Sequence, residues 1–234
     1  MATLILDSCQ LYVAGQDLSG VSNQLQMNAQ ADEVECTTFG SAGFKEYKPG
    51  LLMSNGQFTG YSQFAEPDAS IFADLRTSRV VTIGVDDTDG ATAYATQGFS
   101  TSYQPWGGTV GSMAGFQYNL RGDSPVGKGF MGLEKQTVSG NTTGTGAQIA
   151  SGIAADQKLA MSIHVFTAGT TADVNVESDD NAGFTSATER LTQTVTATGG
   201  YWVETSGAIT DDYYRVTVDT VTGSFSLAVA VVRV

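Results

Sequence analysis

The chain has 234 residues, 41% of them hydrophobic, which suffices for a sizeable core and is too apolar for global disorder. Eleven basic against 24 acidic residues leave a net charge of −13, the wrong sign for a protein that holds nucleic acid through phosphate contacts. With 28 Gly and only 4 Pro, the turns are expected to be glycine, Asn and Asp turns, and 2 Cys are too few for a disulfide framework.

The opening MATLILDSCQ lacks a basic leader and its apolar run stops at Asp7, so no signal peptide is read there. No stretch reaches the roughly 20 apolar residues of a membrane span, so no membrane partner is expected and folding in a cytoplasm is. Cys9 and Cys36 are expected to be small buried side chains. NQLQMNAQA then alternates strictly. Leu25, Met27 and Ala29 share one face, and Gln24, Gln26, Asn28 and Gln30 the other, as in a strand with one wet face.

TTFGSAGFKEYKPG, residues 37–50, is too polar for a core strand and too aromatic for a flexible linker. The segment from Thr38 to about Asn55 is read as a docking loop. Phe39, Phe44 and Tyr47 supply anchors, Lys45, Glu46 and Lys48 supply polar register, and Pro49–Gly50 ends it. Thr38 and Gly40 flank the first aromatic. An ordered loop folded onto its own domain is the alternative.

EPDASIFADLRTS is the one helical stretch, with Asp68 as N-cap after Pro67 and Ile71, Phe72 and Leu75 on one stripe. RVVTIGVDD reads as a strand. VDDTDG fails the calcium-loop pattern, with Val85 and Thr96 where acids belong, and reads as a hairpin turn. GDSPVGKG approaches a phosphate loop through Gly122, Gly127 and Lys128, but Gly129 stands where Ser or Thr is needed and no helix follows. The G-x-G-x-x-G of Gly127, Gly129 and Gly132 lacks a helix too. Arg121–Asp123 spells RGD, and Asn141 begins a glycosylation sequon; both are read as turn residues. No cofactor site and no metal site is read anywhere.

A change of composition near residue 127 places a boundary there: 1–126 as one domain, 127–234 as a second, built of Thr-rich strands in a small β-sandwich. In it, Leu159, Met161, Ile163 and Val165 share a strand face, as do Phe225, Leu227, Val229 and Val231. DYYRVTVDT is a further strand. The only histidine, His164, sits with Ser162 and Phe166 on the other face of its strand, so a Ser-His-Asp triad or a histidine zinc site has nothing to build on. The expected class is all-β with one short helix, and not an enzyme.

Residues 17–64 resemble the tail tube proteins of long-tailed, non-contractile bacteriophages. The resemblance rests on Asp17, Ser19, Gly20, Ser22 and Asn23; Glu33 and Glu35; Thr37, Thr38, Phe39 and Gly40; Pro49 and Gly50; and Gly60 and Tyr61, in that order. With the helix near residue 70 it extends over residues 1 to about 125. The second half resembles β-sandwich domains appended to phage tail proteins. The resemblance implies a tail-tube-type β-sandwich or barrel whose copies close into hexameric rings. The rings stack into a tube that conducts double-stranded DNA without binding it. It further implies a place in the virion tail after assembly in the host cytoplasm, with tape measure and tail terminator or distal tail proteins as neighbours. The Thr38–Asn55 loop would reach the next ring. Asp32, Glu33 and Glu35 would be wall or rim acids, or merely solvated ones. A monomeric carbohydrate-binding or adhesion module, stacking sugars on Trp106, Tyr201 or Trp202, is the rival reading.

Overall fold

The alternating stretches become strands, and the chain is all-β with one short helix among its described residues. The computed structural model describes residues 8–62, 66–73, 75–149 and 152–234, so the leader reading at 1–7 lies outside it. The first part holds β1 (Gln10–Val13), β2 (Gln16–Asp17), β3 (Ser22–Glu35), β4 (Tyr47–Tyr61), α1 (Glu66–Ala73), β5 (Ser78–Gly84), β6 (Thr92–Gly107) and β7 (Gly115–Gly122). The second holds β8 (Gly127–Val138), β9 (Thr142–Thr143), β10 (Ala147–Gln148), β11 (Lys158–Thr167), β12 (Thr171–Asp179), β13 (Thr188–Val195), β14 (Gly199–Ser206), β15 (Tyr213–Thr222) and β16 (Phe225–Arg233).

An 11-stranded sheet runs β14-β11-β16-β8-β6-β5-β1-β2 and forks at β6, whose second half carries β7, β4 and β3 in turn. β6 can fork because it is long: Ala93–Phe99 pair with β5, Thr92–Ala95 with β8 and Gly98–Gly107 with β7. A 5-stranded sheet of β10, β15, β12 and β13, with β9, closes the second half into a sandwich. Two large apolar clusters fill the molecule. One joins Leu11, Leu18, Phe58, Ile71, Tyr118 and Leu120; the other joins Leu133, Met161, Val174, Val216, Leu227 and Val229. Each draws on one side of residue 127, while β8, itself paired with β16, pairs across it with β6. Small clusters, Tyr12 with Met131 and Ala228, and Ala95 with Ala160 and Val232, fill the seam.

That seam explains the alternation of β11 and β16 only in part. Leu159, Met161, Ile163 and Val165 face the sandwich core as expected. Ala160, Ser162 and His164 on the opposite face are equally buried, because the sheet of the first half lies against them. Gly15 makes this approach possible: its φ is +82°, and a Cβ there would lie 2.7 Å from the Val165 carbonyl and 2.8 Å from Gly199 Cα. Lys135 crosses the seam to Asp17 (2.7 Å), its ammonium 4.7 Å from the Phe166 ring centre.

His164 is fully buried there. The Gly15 N–H donates to Nδ1 at 3.2 Å, so the ring proton is assigned to Nε2, 2.9 Å from Thr82 Oγ1. The Thr82 hydroxyl is then free to donate to Ser162 Oγ at 2.8 Å. Both ring nitrogens are used, which makes the histidine structural. Burial pushes its pKa down to about 3, against a small opposing pull from Asp17. An unfolded histidine takes its proton near 6.5, so between these values the unfolded chain binds more protons. Stability is therefore complete above about pH 6.5 and is lost as pH falls, by up to about 1.4 kcal/mol per unit. Urea unfolding at pH 7 and pH 4.5 should show this loss, and His164→Gln should flatten it. An unchanged slope in the variant would remove His164 as the cause.

Candidate functional site

The region with the least internal support is the β3–β4 hairpin. The expected loop from Thr38 to Asn55 is shorter than the sequence suggested. It closes at Glu46, and Tyr47, Lys48, Pro49 and Gly50 belong to β4, where Tyr47 pairs with Glu35 and Pro49 with Glu33. β4 pairs with β7 only from Asn55 to Tyr61. Beyond Asn55 and its partner Asn28 the two strands leave the sheet as a ribbon, about 25 Å long at about 3.3 Å per residue.

The arm is not folded onto its own domain. Phe39, Phe44 (79% exposed), Tyr47, Leu51 and Leu52 all face solvent. Ala29, expected on the inner face, is exposed, because the first-half core ends at Leu25 and Met27. The tip is nevertheless ordered by its own bonds. The Thr38 N–H donates to Ser41 Oγ (3.0 Å), the Phe44 N–H to the Ser41 carbonyl (3.0 Å) and the Cys36 N–H to the Glu46 carbonyl (2.8 Å). Lys45 Nζ reaches Glu35 Oε2 at 2.9 Å. A two-stranded ribbon is marginal alone, and this one leaves its large apolar side chains uncovered.

The arm grows from a sheet with one polar face. Register places Gln26 beside Gln57, Asn119 and Ser102, and Gln24 near Thr59, Gln117 and Gln104. Asn28 and Asn55 continue it to Arg121, the cation of this face. The other face turns Leu25, Phe58 and Tyr118 into the core. Amides and hydroxyls thus form the wet surface, with no carboxylate in these rows. Asp32, Glu33 and Glu35 lie out on the arm, Asp32 at a register shift of β3 against β4 and Glu35 paired with Lys45.

Among the described residues this four-stranded sheet has two open edges. There β3 pairs only with β4 along its 14 residues, and β6 beyond Ser100 has no strand on its β5 side. Such edges recruit further strands.

Other expected sites resolve into structural roles. α1 begins at Glu66, so Asp68 is not its N-cap; its carboxylate accepts the Tyr103 hydroxyl at 2.7 Å. Ile71 is buried but Phe72 is exposed, because only one side of this short helix meets the sheet. Cys9 and Cys36 are half-buried rather than buried, and Cys9 Sγ donates to the Gly84 carbonyl at 3.1 Å. Gly122 ends β7 and Gly127 opens β8, so the phosphate-loop look-alike is a strand connection. Asp89 accepts the Glu134 N–H (2.5 Å) and the Thr145 N–H (3.2 Å), tying the VDDTDG turn to the second half. Trp106 is exposed, while the hydroxyl of half-buried Tyr201 donates to the Ala197 carbonyl and Trp202 Nε1 to Glu204. No group of acids, Cys and His among the described residues is placed to hold a metal ion. No helix among them is long and apolar enough to cross a membrane.

No protein-family model matches the chain, and no curated protein sequence matches it. Some solved structures show partial likeness. The tail of an empty gene transfer agent particle, computed with C6 symmetry, is 16% identical with a TM-score of 0.41, over 51% of this chain and 92% of that one. The virion of the native gene transfer agent particle is 14% identical (TM-score 0.40, 51% and 94%). The SPP1 Dit protein, described as a paradigm of the hub adsorption apparatus in phages infecting Gram-positive bacteria, is 11% identical (TM-score 0.40, 97% and 100%).

Proposed function

We propose that this chain is the structural subunit of a phage-type tail tube, which closes into hexameric rings and conducts double-stranded DNA. The observation that carries the reading is the sheet β3-β4-β7-β6, with its polar face and two open edges. Joining the β3 edge of one copy to the β6 edge of the next extends the sheet head to tail and leaves no edge unpaired. In a ring of six, the number the resemblance implies, about 24 strands at about 4.8 Å give a circumference of about 115 Å before tilt widens it. The polar face would form the wall. Neutral amides offer phosphate no dense row of cations, so DNA passes without a site that retains it. Asp32, Glu33 and Glu35 would sit at the rim. The part from residue 127 on would lie outside the tube, the region 1–126 within it. The role is structural, with no cofactor, in a virion tail.

Negative-stain microscopy of the purified protein should show rings and stacked tubes. A monodisperse monomer at high concentration would overturn the reading and favour the carbohydrate-binding alternative; of Trp106, Tyr201 and Trp202, Trp106 is the exposed one.

A further inference from the structure

The exposed large apolar side chains among the described residues all precede residue 127, and all but Phe72 on α1 and Phe99 gather at two places. One is the arm. The other lies at the opposite end of the same sheet, where Tyr61 pairs with Gly115 and the Ser62 N–H donates to the Ala114 carbonyl at 2.9 Å. There the turn between β6 and β7 presents Trp106, Val110 and Met113, with Tyr61 beside them.

The turn is as ordered as the arm tip. The Thr109 N–H donates to Ser112 Oγ at 2.9 Å, and the Ser112 hydroxyl returns to the Thr109 carbonyl at 2.7 Å. Gly111, at φ +91°, adopts a conformation that other residues rarely take, and Val110 is left wholly in solvent. A turn held in place so as to expose valine and methionine is a surface made for contact.

We propose that the Trp106–Val110–Met113–Tyr61 patch is the acceptor for the arm of a second copy of this chain in the adjoining ring. This rests on the tube reading above and names the surface that the arm meets. Charge selects this pairing. The arm carries Asp32, Glu33, Glu35 and Glu46 against Lys45 and Lys48, so arm-to-arm contact opposes two net negative surfaces. From Pro105 to Gly115 the acceptor has no charged residue at all. Donor and acceptor lie at opposite ends of one rigid sheet. The contact is therefore heterologous and cannot close on itself, and it propagates as a filament along the strand direction.

The test uses the full chain with Val110→Asp and Met113→Asp together, both at exposed positions where the fold tolerates a charge. Rings that no longer stack are expected, while Val110→Leu leaves tubes normal. A benzophenone amino acid at Phe44, in tubes assembled from isotopically light and heavy subunits, should crosslink to residues 105–115 of the other copy. Tubes of normal length from the double aspartate variant, or crosslinks that map elsewhere, overturn the acceptor while leaving the ring reading standing. Failure of the unmodified protein to form rings overturns both.

Discussion

Deleting Phe44 to Tyr47 should leave a folded subunit that forms rings but not long tubes. The four residues belong to the arm's tip and the first position of β4, far from both apolar cores, so unfolding temperature should move little. Their loss removes two large aromatic anchors and Lys45, the partner of Glu35. Covering each exposed aromatic contributes about 1.5–3 kcal/mol. The pair then accounts for about 3–6 kcal/mol, or roughly 10²–10⁴ in affinity at each ring-to-ring contact. In the proposed ring every subunit would make the contact, so the effect on stacking would multiply. Tube length by microscopy, beside circular dichroism of the same sample, separates loss of assembly from loss of fold. Tubes of ordinary length would mean that the arm does not join rings.

The second large effect concerns the part from residue 127 on. A chain ending at residue 126 is expected to fold, unfold at lower denaturant concentration, and still polymerise. The cluster around Phe58, Tyr118 and Leu120 contains nothing from beyond residue 120, so it survives the cut. What the cut uncovers is the seam: Tyr12, Val80, Ala93 and Ala95, with Thr82 losing His164 and Ser162. Tyr12 and Val80 together lose about 3–6 kcal/mol of burial, a large share of the ordinary 5–15 kcal/mol of a domain. The β6 edge at Thr92–Ala95 is also freed. Equilibrium unfolding and sedimentation of the shortened chain decide the matter. If it is unfolded or aggregates while the full chain does not, the two halves are one folding unit and the division at 126 fails.

Much of the strand content was legible because alternation is local. In β3 the swap between Gln and Leu or Met reports a sheet with one wet face, and the structure keeps that reading from Gln24 to Met27. One histidine on an apolar strand likewise read as a poor starting point for a triad or a zinc site, and in the structure Gly15 and Thr82 occupy both its nitrogens. Three things came only from the tertiary structure. Period two cannot say that the second face of β11 and β16 is also covered, since Ala160, Ser162 and Ala230 are small enough for either fate; the sheet across the seam decides it. The sequence of Tyr47–Gly50 carries loop residues, yet pairing with Glu33 and Glu35 makes them a strand, because a hairpin once started extends by backbone bonds that ignore side-chain type. The apolar end formed by Tyr61, Trp106, Val110 and Met113 joins residues far apart in sequence, and no local pattern marks it. What local periodicity determined was which residues lie in strands and which of their faces is wet. How the strands pair, and therefore which apolar side chains remain for a partner, was set by long-range register, which a single sequence does not display.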